Sequence, residues 1–117
     1  DIRYPELVRL PVIAGAQLCF YCSNEAGFTS EWKLSAYRAM PISRATENGV
    51  FLVMANAPGD LDNMRSKSQS HGNSKIVHPN GNVLAEAGYF EETLVTAVND
   101  DCVLTDWMKS GVKFVEI

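Results

Sequence analysis

Cys19-Phe20-Tyr21-Cys22 forms a Cys-x-x-Cys pair, the spacing used by thiol redox sites and by one half of many zinc sites. Redox use places the pair where a strand feeds straight into a helix, whose N-terminus lowers the thiol pKa. Here the next helical pattern starts only at Ser30. A zinc site needs two further ligands, and Cys102, His71 and His78 fall at no common zinc spacing. The plainer reading is two thiols in and beside a buried strand. His71 and His78 are the two histidines of the chain. Neither is paired with a recognisable nucleophile, and there is no Gly-x-Ser-x-Gly elbow. His78 precedes Pro79 at a strand end, where a structural or exposed role is expected. Glu91-Glu92 and Asp100-Asp101 read as solvated faces or turns, and no glycine-rich phosphate cradle is present.

The elements that must position such groups fit one small domain. The 117 residues are 46% hydrophobic and 21% charged, too apolar for a disordered segment. No uncharged run is long enough for a membrane helix. A net charge of −4 argues against a nucleic-acid backbone or an anionic membrane as partner. No basic segment leads into an apolar one, so no signal peptide is expected. Three cysteines fit reduced thiols in a cytoplasmic protein.

Residues 1 to 16 read as a helix entered at Pro5, kinked or shortened by Pro11 and closed by Gly15. Gln17 to Tyr21 is a buried strand. Ser30 to Asn48 is a helix with Trp32, Ala36, Tyr37 and Met40 on one face, kinked at Pro41 and stopped by Gly49. Val50 to Ala55 is apolar without alternation, which predicts a strand covered on both faces. The polar stretch Asn56 to Gly72 is a functional lid or a surface loop. Ser74 to His78 and Val83 to Ala87 form a hairpin around Pro79-Asn80-Gly81-Asn82. Thr93 to Val98 reads as a further strand, and Leu104 to Ser110 as one or two helical turns around Trp107. About five strands and two to three helices make an α/β or α+β layered domain.

Four stretches in order resemble the carbon–nitrogen hydrolase (nitrilase) superfamily. Asp1-Ile2-Arg3-Tyr4-Pro5-Glu6 is similar to the segment that follows the family's nucleophile, Cys-x-Asp-x-Arg-(Phe/Tyr)-Pro-Glu. Arg44-Ala45-Thr46-Glu47-Asn48 is similar to a helix end Arg-Ala-x-Glu-Asn. Val50 to Asn56 resembles the following strand, which ends in Ala-Asn. Ser70-His71-Gly72-Asn73-Ser74-Lys75-Ile76-Val77, with Pro79-x-Gly81-x-Val83-Leu84-Ala85, resembles the Gly-x-Ser-x-Ile-x-x-Pro-x-Gly-x-(Val/Ile)-Leu-Ala block. The likeness covers about residues 1 to 100 and leaves 101 to 117 as a tail of unclear role, a dimer arm or a cover for a sheet edge.

The resemblance implies an α/β fold, half of a nitrilase-like αββα sandwich. It implies hydrolysis of non-peptide carbon–nitrogen bonds in amides, nitriles or carbamoyl groups by a Glu-Lys-Cys triad. Glu is the base, Cys forms a thioester, and Lys stabilises the tetrahedral intermediate. The Cys is expected two residues before Asp1, and Glu and Lys further upstream. This chain therefore contributes no catalytic residue and is expected to be inactive alone. Cys22 matches no catalytic position. The expected partners are a small amide or nitrile substrate, the N-terminal half of the domain and a second copy in a homodimer, with no metal or other cofactor. Asn24 is the first candidate for a substrate contact, with turn formation as its alternative. Ser23 lies beside it. Arg3 either pairs with Glu6 to orient the nucleophile's turn or meets a substrate carboxylate. The competing functional reading is a non-catalytic remnant that binds a ligand or assembles subunits.

Overall fold

The computed structural model describes residues 1–25, 31–59, 70–98 and 114–116, with the side chains of 31–33 and 114–116 left aside. Two helices and five strands follow one another as α1 (Pro5–Ile13), β1 (Leu18–Ser23), α2 (Glu31–Asn48), β2 (Phe51–Asn56), β3 (Lys75–Val77), β4 (Val83–Glu86) and β5 (Phe114–Glu116). The strands form one mixed sheet in the order β4-β3-β2-β1-β5. β1 runs parallel to β2 and to β5, whereas β2–β3 and β3–β4 are antiparallel. Parallel neighbours need a crossover, and α2 supplies it between β1 and β2.

Both helices end in the same way. Ala16 N–H reaches back to the Pro11 carbonyl and Gly15 N–H to Val12, with Gly15 at φ 101°. Val50 N–H likewise bonds Ala45, and Gly49 N–H bonds Thr46 with φ 63°. This paired closure needs a left-handed residue just past the helix, which glycine adopts without steric cost. Pro5 opens α1, where its missing N–H is not needed. α1 passes through Pro11 and stops two residues later, while α2 continues as helix through Pro41 for its 18 residues. Pro41 is buried.

The inward face of α2 consists of Leu34, Tyr37, Pro41, Arg44 and Ala45. Of the face expected from spacing, Tyr37 is buried and Met40 packs against the core, whereas Ala36 is exposed. Strand alternation divides β1 and β2 between two sides. Tyr21, Leu52, Met54 and Val77 cluster with Ile2 and Ala45 under the helices. Cys19 joins Val8 and Val50 in a second cluster beside them. The opposite side is less covered: Phe20, Val53 and Ile76 are half-buried, and Cys22 and Ala55 are exposed. β2 is therefore not covered equally on both faces, contrary to the reading from its apolar run. Among the described residues both helices lie on one side of the sheet.

Cys19 and Cys22 sit on opposite faces of one strand, and both are free thiols. Three strand residues span roughly 10 Å, beyond the roughly 7 Å Cα separation a disulfide tolerates. No cluster of three or more His, Cys, Asp or Glu converges among the described residues. No described helix is long and apolar enough to cross a membrane.

The hairpin forms as its turn residues predict. His78 and Asn82 pair through the main chain, and Gly81 takes φ 90°. His78 Nδ1 accepts the Asn80 N–H, and its ring meets Phe51 edge-on at 5.0 Å. Its role here is structural. A Cβ on Gly81 would stand 2.8 Å from Thr46 Oγ1. Gly81→Ala should therefore destabilise the fold by about 1–3 kcal/mol, from left-handed strain together with that clash. Thermal unfolding of the variant beside the parent checks this.

Thr93 to Val98 is not a strand. Leu94 and Val98 are 87% and 88% exposed, so the apolar run finds no sheet neighbour. The fifth strand is Phe114–Glu116 on the outer edge of β1. The turns expected at Leu104 to Ser110 lie outside the described residues.

Candidate active site at the carboxyl edge of the sheet

Parallel strands in an open α/β sheet point their carboxyl ends at one edge, where ligands bind in such folds. Here that edge carries Ser23 at the end of β1 and Asn56 at the end of β2, in direct register. Asn56 is 6% exposed. Its Oδ1 accepts from Ser23 Oγ at 2.9 Å, Glu25 N–H at 3.0 Å and Ser70 Oγ at 3.1 Å. Its Nδ2 donates to the Gly72 carbonyl at 2.8 Å and lies 3.4 Å from both ring nitrogens of His71. One amide side chain thus ties the segment after β1 to the segment before β3. Ser74 Oγ completes the tie by accepting the Asn56 N–H at 3.0 Å.

His71 is buried between Tyr37 and Tyr89, with ring centroids 6.0 and 6.1 Å away. Burial pushes its pKa below the ordinary value of 6.5, against a hydrogen bond to the Glu25 backbone and the Glu25 charge. Lys75 is a second buried polar anchor. Its Nζ donates to Asn73 Oδ1 and Glu86 Oε1, each at 2.7 Å. Asn73 holds a left-handed φ of 60° and donates to Glu86 and to the Ala87 carbonyl. Burial raises the Glu86 pKa, but the Lys75 and Asn73 hydrogen bonds outweigh it and hold the carboxyl below 4.5. Both groups bind fewer protons folded than unfolded, so each stabilises above its unfolded pKa and loses that contribution as pH falls. Stability should fall first below pH 6.5 through His71 and again below 4.5 through Glu86. Denaturant midpoints across this range check it, with His71→Gln removing the first step.

Arg44 governs the start of the chain from α2. Its buried Nε donates to the Ile2 carbonyl at 3.0 Å, and Nη2 reaches the Arg3 carbonyl at 3.5 Å. Glu47 holds Nη1 at 3.2 Å, and Asn48 Nδ2 donates to the Arg44 carbonyl at 2.8 Å. Arg9 of α1 donates to the Glu47 carbonyl and to Asn48 Oδ1. The Arg-Ala-Thr-Glu-Asn segment is therefore a brace for the turn at residues 1–3.

The structure joins Ser23 to this edge through Asn56 and leaves Asn24 exposed beside it. Arg3 pairs with Asp1 rather than Glu6, as two residues of one turn meet more easily than a turn and a helix. The pair is solvent-accessible and contributes little stability. Spacing alone did not single out Glu25 or Ser70, and it offered His71 only as a histidine with no nucleophile beside it. One available signal was a polar Asn closing an otherwise apolar strand.

These features meet one family pattern. Residues 1–106 match the carbon–nitrogen hydrolase family. The chain belongs to that family. It is 34% identical over 103 residues to 2-oxoglutaramate amidase of Bacillus subtilis, covering 86% of this chain and 35% of that protein. It is 29% identical over 106 residues to a "Hydrolase in agr operon" of Staphylococcus lugdunensis, covering 88% of this chain and 41% of the relative. It superposes on Saccharomyces cerevisiae Nit3, a member of the nitrilase superfamily, with TM-score 0.69 and 25% identity, covering 97% of this chain and 40% of Nit3. A nitrilase-superfamily amidase from Nesterenkonia AN1 gives TM-score 0.69 at 33% identity, with 91% of this chain and 37% of the amidase covered. The chain thus spans well under half the length of these relatives.

Proposed function

We propose that this chain builds the substrate side of an amide-cleaving carbon–nitrogen hydrolase whose Cys lies two residues before Asp1 and whose Glu and Lys lie further upstream. One observation carries the reading. The Asp1-to-Glu6 motif enters α1 through a turn whose carbonyls are gripped by the buried Arg44 of the second family motif. Such a brace fits a turn that must hold a nucleophile still. In the reaction, the base takes the thiol proton and sulfur attacks the amide carbon. The C–N bond then breaks, and the nitrogen leaves with the proton. Water releases the acid from the thioester. Ser23 and Asn24 supply hydrogen bonds to the substrate, and Arg3 lines the entrance. The exposed Leu7, Leu10 and Ile13 of α1 support pairing with a second copy. Free Cys19 and Cys22 fit a reducing, cytoplasmic setting.

Ammonia release from small amides tests the reading. The whole protein should release it, residues 1–117 alone should not, and replacing the cysteine before Asp1 with alanine should abolish it. Turnover that survives that replacement would overturn the proposal.

A further inference from the structure

Glu25 is a half-buried carboxylate at the carboxyl edge. Its main chain is fixed there by the bond from its N–H to Asn56. Its side chain turns back over the helix-covered face, where Tyr21 Oη donates to Oε1 at 2.5 Å. The Tyr37 phenol from α2 faces the same carboxylate, and hydrogen bonding to Glu25 is among the influences on it. Burial raises the pKa of both phenols, and Glu25 raises it further, so both remain protonated donors. Two phenols use only part of the acceptor capacity of a carboxylate, which has about four lone-pair sites.

None of the ion pairs among the described residues includes Glu25. The nearby guanidinium of Arg3, whose charge is felt at Tyr37, is engaged by Asp1. A partly desolvated anion held by neutral donors favours an incoming positive charge and disfavours a negative one. The start of the chain, where the nucleophile is expected, packs beside the donor Tyr21: Ile2 and Tyr21 share one core cluster.

We infer that Glu25 sets the charge preference of the enzyme, receiving the cationic amine of an amide substrate whose far end carries an ammonium group. The inference rests on the amide-hydrolase reading above and gives that reading a substrate class. Anionic amides are the disfavoured class.

The test uses the whole protein and three amides of similar length: β-alaninamide, propanamide and succinamate. The parent enzyme should rank them in that order by kcat/KM. Glu25→Gln should reduce the β-alaninamide to succinamate ratio by about tenfold or more, mainly through KM, because one charge interaction is removed. Tyr21→Phe keeps the charge and should reduce the ratio less. An unchanged ratio in a Glu25→Gln enzyme that still hydrolyses propanamide would overturn the inference. If Glu25→Gln does not fold, Glu25→Asp decides. Withdrawing the carboxylate by one methylene should raise KM for β-alaninamide alone, and an unchanged KM overturns the assignment. A parent enzyme that cleaves propanamide without charge preference sinks only this inference. One that cleaves none of the three amides sinks the amide-hydrolase reading and the inference with it.

Discussion

Arg44→Leu in the whole protein should lower kcat/KM for an amide by about a hundredfold, because a displacement near 1 Å at a reacting centre has effects of that size. The guanidinium bonds the Ile2 carbonyl at 3.0 Å and approaches the Arg3 carbonyl at 3.5 Å, from a position only 7% exposed. Leucine keeps the apolar packing and removes the donors. The Ile2 carbonyl then loses its partner in a residue that is itself 1% exposed, at a cost of about 1–3 kcal/mol. Arg44→Lys should not restore the rate, since an ammonium cannot span the two carbonyls and Glu47 as the planar fork does. Steady-state kinetics beside thermal unfolding separates the effects. A variant that loses stability yet keeps the parent's kcat would refute the bracing role.

Asn56→Ala should have the second large effect, and it should fall on KM as well as on stability. Removing Oδ1 strands three donors at once: Ser23 Oγ, Ser70 Oγ and the Glu25 N–H. Water can replace some of these, so the expected cost is about 2–4 kcal/mol rather than the full sum. The segment 23–25 then loses its link to β2, and substrate contacts from Ser23 and Asn24 loosen. KM should rise about tenfold, the size expected when one or two positioned hydrogen bonds are lost from ground and transition state alike. Asn56→Asp keeps the acceptor but faces the Gly72 carbonyl with an oxygen where Nδ2 donated at 2.8 Å. It should retain more of the Ser23 contact than alanine while remaining less stable than the parent. Michaelis constants for the two variants, compared at equal folded fraction, check the order.

Local chemistry made some of this legible in the sequence. Gly15 and Gly49 announce helix ends because few other residues adopt their backbone, and Asn80-Gly81 announces a hairpin for the same reason. The apolar runs of β1 and β2 follow from which residues must leave water, whereas the apolar spacing of α1 falls on Leu7 and Leu10, which stay exposed. The motif order carried the family. The strand expected at Thr93 to Val98 failed because an apolar run becomes a strand only when a neighbour accepts its hydrogen bonds. The sheet takes Phe114–Glu116 instead. The site was the least legible part. Ser23 and Asn56 are 33 positions apart and meet only because β1 and β2 pair in one register. Glu25 reads as an ordinary loop acid until Tyr21 and Tyr37 are seen around it. Arg44 reads as one more helix charge until the carbonyls of residues 2 and 3 are seen against it.

In the proposed enzyme this chain supplies the braced turn and the pocket wall, while the attacking sulfur lies just ahead of Asp1. Mass spectrometry of the whole protein, quenched during turnover of a slow amide, reads that sulfur directly. The expected result is an acyl adduct on a cysteine two residues before Asp1 and none on Cys19, Cys22 or Cys102. An adduct on any of those three, or turnover with no cysteine at the upstream position, would contradict it.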